Sequence, residues 1–150
     1  CVFFVRICRR PCVSCASWSA ASDVYRGQVL DARAGLGLAG CDVYLNVAGG
    51  LKVSEPAADI AVAAALISSL SQIPLPEETV VFGEMSLSGD IRSVSQTDAR
   101  LKESEKLGFS RVMMPKAKKR NGSTGSKTIQ QQYLERVGDL VAHFFPDGVD

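Results

Sequence analysis

The sequence has no apolar run long enough to cross a bilayer and no excess of charge of either sign. Its longest uncharged apolar stretch, residues 60–70, is far shorter than the roughly 20 residues of a membrane-spanning helix. The chain carries 17 basic and 16 acidic residues, so nothing in its overall charge draws it to nucleic acid or to a membrane surface. Its 150 residues, 46% of them apolar, indicate one ordinary globular domain with a real core.

Histidine is almost absent, and this scarcity excludes the common nucleophilic triads. His143 is the only histidine, and it stands late in the chain beside Phe144. A Ser-His-Asp or Cys-His site needs a histidine that reaches the nucleophile, whereas this one is more typical of packing or of the surface. The sequence therefore predicts no histidine-based catalysis.

Acidic residues are missing from residues 1–22, and this segment differs in character from the rest. It holds four of the five cysteines, and Cys8, Cys12 and Cys15 form a C-x3-C-x2-C run. That spacing occurs in iron–sulfur sites, and its last two cysteines could form half a zinc site, but Cys41 and His143 are single and remote as further ligands. We predict no metal site and an unassigned, poorly ordered leader. A targeting or amphipathic remnant is the alternative.

Helices and strands alternate along the rest of the chain, which predicts an α/β fold without internal repeats. Glycine and proline end most of these elements. The predicted helices cover 23–36, 56–71, 97–109 and 138–145, and the predicted strands cover 42–50, 79–87 with a break at Gly83, 88–94, 111–115 and 129–137. In the third helix, Leu101 and Leu107 are predicted to face inward and Gly108 to cap the end.

The helix over 56–71 is predicted to be buried and to carry a site at its N-terminal end. Past Asp59 it is apolar on every side, which is typical of a buried helix. Pro56 suits a first turn, and Ser54 is a candidate N-cap. Such a helix start is a common place for a nucleophile or a bound anion, yet the first turn here contains Ala57.

Three segments together resemble the C-terminal, Lon-protease-like domain of the RadA (Sms) family of bacterial DNA repair proteins. They read "DVYLNVAGGLKVSEPAADIAVAAALISSL", "VVFGEMSLSGDIRSV" and "DARLKESEKLGFSRVMMPK", and the resemblance extends over about residues 29–144. It implies a Lon-like domain over 23–150 with the α/β (α+β sandwich) fold called ribosomal protein S5 domain 2-like. In that family the domain follows a zinc finger and a RecA-like ATPase core, and it acts as a scaffold in ring-shaped hexamers that perform branch migration.

The resemblance also places the two peptidase positions of Lon at Ala57 and Arg100. In active Lon-type peptidases, a serine at the first position is the nucleophile and a lysine at the second is its base. Ala57 has no atom that can attack a carbonyl, and Arg100 cannot be a neutral base because the pKa of an arginine side chain lies far above neutral. Ser86 and Ser88 are predicted only to serve the turn at Gly89. The sequence predicts no catalytic residue, with a Lon-type Ser–Lys endopeptidase as the alternative.

No ATPase phosphate-binding loop is recognised in the sequence either. "GSTGSKT" (122–128) approaches G-x4-G-K-[ST], but its first glycine is one residue too close and Ser126 replaces the second. We therefore predict a flexible loop, no enzyme activity and no cofactor in this chain. By the resemblance, ATP, Mg and Zn are expected only in the other parts of the parent protein.

A basic loop is the candidate DNA contact. It contains five cations with no acid between them: Lys116, Lys118, Lys119, Arg120 and Lys127. The resemblance adds Arg92 and Arg100 on the face of the inactive peptidase site. We expect these side chains to meet phosphates of single-stranded or branched DNA within a homo-oligomeric ring. The setting would be the bacterial cytoplasm or an organelle of bacterial origin. An oligomerisation module without a DNA role is the other alternative.

Overall fold

The described part of the chain is a mixture of helices with parallel and antiparallel strands. The computed structural model describes residues 3–8, 30, 32, 35, 42–47, 55–116 and 129–145. Its strands are β1 (Phe3–Cys8), β2 (Asp42–Val47), β3 (Thr79–Val81), β4 (Glu84–Met85), β5 (Ile91–Arg92), β6 (Arg111–Pro115) and β7 (Gln130–Leu134), and its helices are α1 (Asp59–Ser71), α2 (Thr97–Lys106) and α3 (Val137–Phe144). The predicted α/β class is confirmed, while the S5 domain 2-like fold remains a prediction.

A parallel sheet with the order β3-β6-β7 forms the larger group of strands. Val80 lies opposite Val112, and Met113 lies opposite Gln132. Four consecutive residues of the central strand β6 are buried, as expected for a parallel strand covered on both faces. The carboxyl ends of the three strands meet at one edge, and β3 leads from there to the β4–β5 hairpin.

The predicted leader contributes a strand to a second sheet. β1 pairs antiparallel with β2, from Phe3 opposite Val47 to Cys8 opposite Asp42. Six residues of the segment 1–22 therefore form regular structure in the same sheet as the predicted strand over 42–50. The boundary at residue 22 lies outside the described residues and remains a prediction. Of the predicted helix over 23–36, only Leu30 and Ala32 are described as helical.

Helix α1 is buried, as its sequence predicted. It begins after a 3-10 turn over Pro56–Ala58, where proline is tolerated because a first-turn N–H has no partner within the helix. Ile60, Ile67 and the α3 residues Leu140 and Phe144 belong to one buried core. α1 has 13 residues. Among the described residues, no helix is long and apolar enough to cross a membrane.

Helix α2 ends earlier than predicted, and one of its predicted inward positions is wrong. Leu101 is buried, whereas Leu107 is 68% exposed. The chain reverses there because Gly108 adopts a φ of +84° and donates to the carbonyl of Glu105, and Phe109 N–H donates to the carbonyl of Ser104. This is the Schellman arrangement, so the predicted glycine cap is confirmed while Leu107 is turned outward at the helix end.

Candidate nucleic-acid interface

The link between β3 and β4 holds the N-terminal tip of α1, the turn Pro56–Ala58, against the sheet. Gly83 N–H donates to the carbonyl of Ala57 at 2.8 Å, and Ile60 N–H donates to the carbonyl of Gly83 at 3.2 Å. The buried carboxylate of Asp59 accepts the N–H of Met85 at 3.3 Å. The residue at the predicted nucleophile position is thus an alanine buried in a fixed turn.

Three side chains lie close to the backbone of Gly83. A Cβ at this position would lie 3.0 Å from Ile60 Cγ1, 3.1 Å from Pro115 Cγ and 3.2 Å from Ile91 Cγ2. We call Gly83 with these three residues the Gly83 junction. Because the space is already filled, a residue without a side chain is required for α1, β5 and β6 to approach Gly83 this closely.

Three contacts position the Arg100 side chain beside the Gly83 junction. Its terminal nitrogen forms an ion pair with Glu55 Oε1, and its Nε donates to the carbonyl of Ser95 at 3.4 Å. The guanidinium carbon lies 5.9 Å from the ring centroid of buried Phe82, within cation–π range. The Arg100 side chain nevertheless stays 29% exposed. Arg100 contacts Glu55 and Phe82, and the neighbour of Phe82, Gly83, is hydrogen-bonded to Ala57. The two predicted peptidase positions, Ala57 and Arg100, therefore lie in one local structure.

Lys116 follows the carboxyl end of β6 and is paired with an acid from outside its loop. Its Nζ lies 2.7 Å from Glu135 Oε1, and both side chains are exposed. The hydrogen bond to Glu135, and then its negative charge, raise the pKa of Lys116 above its ordinary value. The carbonyl of Glu135 accepts the N–H of Ile91 at 2.8 Å, so β5 and its exposed residue Arg92 lie beside this pair.

Three of the predicted DNA-contact residues therefore have their backbones gathered around the Gly83 junction. Arg92 directly follows Ile91, Lys116 directly follows Pro115, and Arg100 lies over the residue before Gly83. The remaining four predicted contacts lie outside the described residues: Lys118, Lys119, Arg120 and Lys127. The N-cap candidate Ser54, the segment "GSTGSKT" and two cysteines of the C-x3-C-x2-C run, Cys12 and Cys15, lie outside them as well.

Ser86 and Ser88 stabilise the turn at Gly89, as the sequence predicted. Ser86 Oγ donates to the carbonyl of Asp90 at 3.0 Å and accepts the N–H of Asp90 at 3.1 Å. Ser88 Oγ donates to the Asp90 carboxylate at 2.6 Å.

His143 is half-buried and makes an edge-to-face contact with Phe144.

The described residues contain no group of three or more His, Cys, Asp or Glu side chains that could hold a metal ion. The side chains of the cysteine run in the leader are not among them. The absence of a metal site therefore remains a prediction from the sequence.

Sequence reasoning placed Arg100 but missed its two partners. Glu55 stands 45 residues before Arg100, and nothing in the sequence pairs the two. Phe82 was one apolar residue within a predicted strand. No local pattern signals such a cluster, because its members come from three separate elements that meet only in the folded chain.

The sequence matches a known family over more than half its length. Residues 32–118 match the family model described as subunit ChlI of Mg-chelatase. The chain is 59% identical to the DNA repair protein RadA of Brucella abortus over 123 residues, which cover 80% of this chain and 25% of that protein. It is 54% identical to the RadA protein of Rickettsia typhi over 59% of this chain and 20% of the relative, and 46% identical to that of a Synechocystis species over 67% and 20%.

These similarities confirm the resemblance that the three sequence segments suggested. The chain spans about a fifth to a quarter of the length of the relatives it matches.

The same comparisons correct one prediction. The matched family is of the ATPase type, and together with the DNA repair relatives it points to an ATPase region. The prediction that this chain is not an enzyme and carries no ATPase motif is therefore wrong. It rested on a single phosphate-binding loop, whereas the family match extends over residues 32–118.

Proposed function

Because the chain belongs to the family of subunit ChlI of Mg-chelatase and is similar to the bacterial DNA repair protein RadA, we propose that it is the Lon-like, DNA-contacting domain of a RadA-type repair protein. The relatives support the role in DNA repair. The contact with DNA and the scaffold role within a ring are proposed from the arrangement of cations and from the family resemblance.

The observation that carries the proposal is the gathering of Arg92, Arg100 and Lys116 around the Gly83 junction. Guanidinium and ammonium groups bind phosphate by charge-assisted hydrogen bonds, and each phosphate contact releases counterions from DNA. Arg100 is suited to this role because its side chain is already fixed over Phe82 and remains partly exposed. Four further cations follow Lys116 in the sequence of the basic loop.

Within the parent protein, we propose that the domain holds DNA while an ATP-driven ring moves along it. One domain offers few phosphate contacts, whereas a homo-oligomeric ring multiplies them and raises the overall affinity. We further propose that the ring is a hexamer acting on single-stranded or branched DNA in the bacterial cytoplasm. ATP, Mg²⁺ and Zn²⁺ would serve the parent protein as a whole.

The test compares two triple variants with the same loss of charge. The first variant replaces Arg92, Arg100 and Lys116 with glutamine. The control variant replaces Lys102, Lys106 and Arg111 with glutamine. All three control residues are exposed. At about 100° per residue, Lys102 and Lys106 point away from the side of α2 that bears Arg100. Arg111 begins β6 at the edge opposite Lys116.

Fluorescence anisotropy with a labelled oligonucleotide across a salt series would then give the log–log slope of affinity. Removing three phosphate contacts should flatten that slope by about 2 to 3, whereas the control triple should change it little. Binding should not depend on base sequence, because the phosphate groups are the same at every nucleotide. If both triples weaken binding equally, the effect is one of net charge and the proposed interface is wrong.

A further inference from the structure

We infer that Glu55 occupies the phosphate-binding position of Arg100 when DNA is absent, and that a DNA phosphate displaces it. This inference rests on the proposed function and adds a control element to the same site. The ligand is the phosphate backbone of a nucleic acid, and the control element is a carboxylate supplied by the tip of α1.

The first argument is the geometry of Arg100. The guanidinium carbon lies over the Phe82 ring, 5.9 Å from its centroid, and Nε donates to the carbonyl of Ser95, so two contacts besides Glu55 position the side chain. Glu55 then takes a terminal nitrogen, which lies on the edge that a phosphate would use. Removing the carboxylate would leave the arginine in place with an open donor edge.

The second argument is exposure. The Arg100 side chain is 29% exposed and that of Glu55 is 53% exposed, so solvent and solutes reach the contact. An ion pair this exposed contributes little to stability because water and salt screen it. A polyanion that makes several contacts at once can therefore replace one carboxylate.

The third argument is chemical likeness. Carboxylate and phosphate both present two oxygens to the planar fork of arginine, and both are bound by the same pair of N–H groups. Glu55 is the residue just before the 3-10 turn, and its side chain caps no N–H of that turn. Its carboxylate is thus free of a capping role and serves Arg100 instead.

Glu55→Gln tests the inference because it keeps the size of the side chain and removes its charge. Affinity for a short oligonucleotide at low salt should rise by about two- to fivefold, the range expected when an exposed ion pair no longer competes. Glu77→Gln is the matched control, since Glu77 is an exposed carboxylate on the approach to β3. It loses the same charge and should change the affinity much less.

The decisive comparison repeats Glu55→Gln in a chain that already carries Arg100→Gln. There the gain should vanish, because no guanidinium remains to be released. Thermal unfolding of each variant, followed by circular dichroism, checks that the fold is retained. A gain that persists without Arg100, or a gain no larger than that of Glu77→Gln, would overturn the inference.

The outcomes separate this inference from the proposed function. If Arg100→Gln weakens binding but Glu55→Gln does not strengthen it beyond the control, only the role of Glu55 is wrong. If the unmodified chain and Arg100→Gln bind DNA equally, or neither binds, the DNA interface is wrong and the role of Glu55 is wrong with it.

Discussion

At the scale of single residues, Ala57 and Arg100 decide which chemistry the tip of α1 can perform. Ala57 is buried, and its carbonyl is fixed by Gly83 N–H. Arg100 forms an ion pair with Glu55. Because alanine offers no nucleophile and arginine no neutral base, we expect no Ser–Lys peptidase chemistry from these two positions.

Ala57→Ser should therefore not create peptidase activity. The new hydroxyl would have no base beside it, and even the double variant Ala57→Ser, Arg100→Lys should show little turnover. In the double variant, Glu55 would keep the new lysine charged by pairing with it. Fluorescent casein is a suitable substrate, and an active Lon-type peptidase is the positive control. Casein cleavage by the single variant, at a rate above that of the unmodified chain, would contradict this account.

Lys116 gives a prediction about pH. Its pKa is raised by Glu135, so the ion pair favours the folded chain fully below the ordinary lysine pKa of 10.5 and loses that effect as pH rises through the raised value. The pair should thus leave stability constant between about pH 6 and 8. Nuclear magnetic resonance of the Lys116 side chain should show a lower pKa in Glu135→Gln and no change in Glu77→Gln. An unchanged Lys116 titration in Glu135→Gln would show that the pair does not persist in solution.

At the scale of elements, the sequence predicted which helices and strands exist, and in what order, better than it predicted where each one begins and ends. The strand 111–115 has the predicted bounds because Pro115 ends a continuous apolar run. The predicted helix over 97–109 stops at Lys106 because Gly108 begins the reversal, and Leu107 is exposed for the same reason. A helical pattern cannot show where the last turn unwinds, since that depends on hydrogen bonds to the final carbonyls.

Gly83 links three elements, and its substitution tests how tightly they pack. Gly83→Ala would press a methyl group against Ile60, Ile91 and Pro115, and we expect it to destabilise the chain by about 1–3 kcal/mol. Gly138→Ala in α3 is the control, because a Cβ there meets nothing within 4 Å. It should be neutral or stabilising by up to about 1 kcal/mol. Urea unfolding measures both, and equal stability of the two variants would show that the junction is not closely packed.

At the scale of the whole molecule, class and family could be predicted from the sequence, but the meeting of distant segments could not. Alternation of elements indicated α/β, and three segments indicated the RadA family. The pairing of β1 with β2 joins residues about 40 positions apart, and nothing local in the leader signals it. The Glu55–Arg100 contact is of the same kind, because it exists only once α1 and α2 are packed on the same sheet.

Association of whole chains is expected to be weak. In the described part, β3 and β7 are the outer strands of the parallel sheet, and Tyr133 on β7 is 51% exposed. With α2, these are the surfaces on which a family-type ring would be built. We expect concentration-dependent association rather than a stable hexamer, measured by light scattering over a wide concentration range. A strictly monomeric chain at every concentration would count against the proposed scaffold role.

The most direct test of the proposed DNA interface is to observe which residues respond when DNA binds. A ¹⁵N-labelled chain titrated with a short oligonucleotide at low salt should show its largest amide shifts around Phe82, Gly83, Arg92, Arg100 and Lys116. The shifts should shrink as salt is added, because phosphate contacts release counterions. Shifts confined to other surfaces, or no shifts at DNA concentrations well above that of the chain, would contradict the proposal that this face holds DNA.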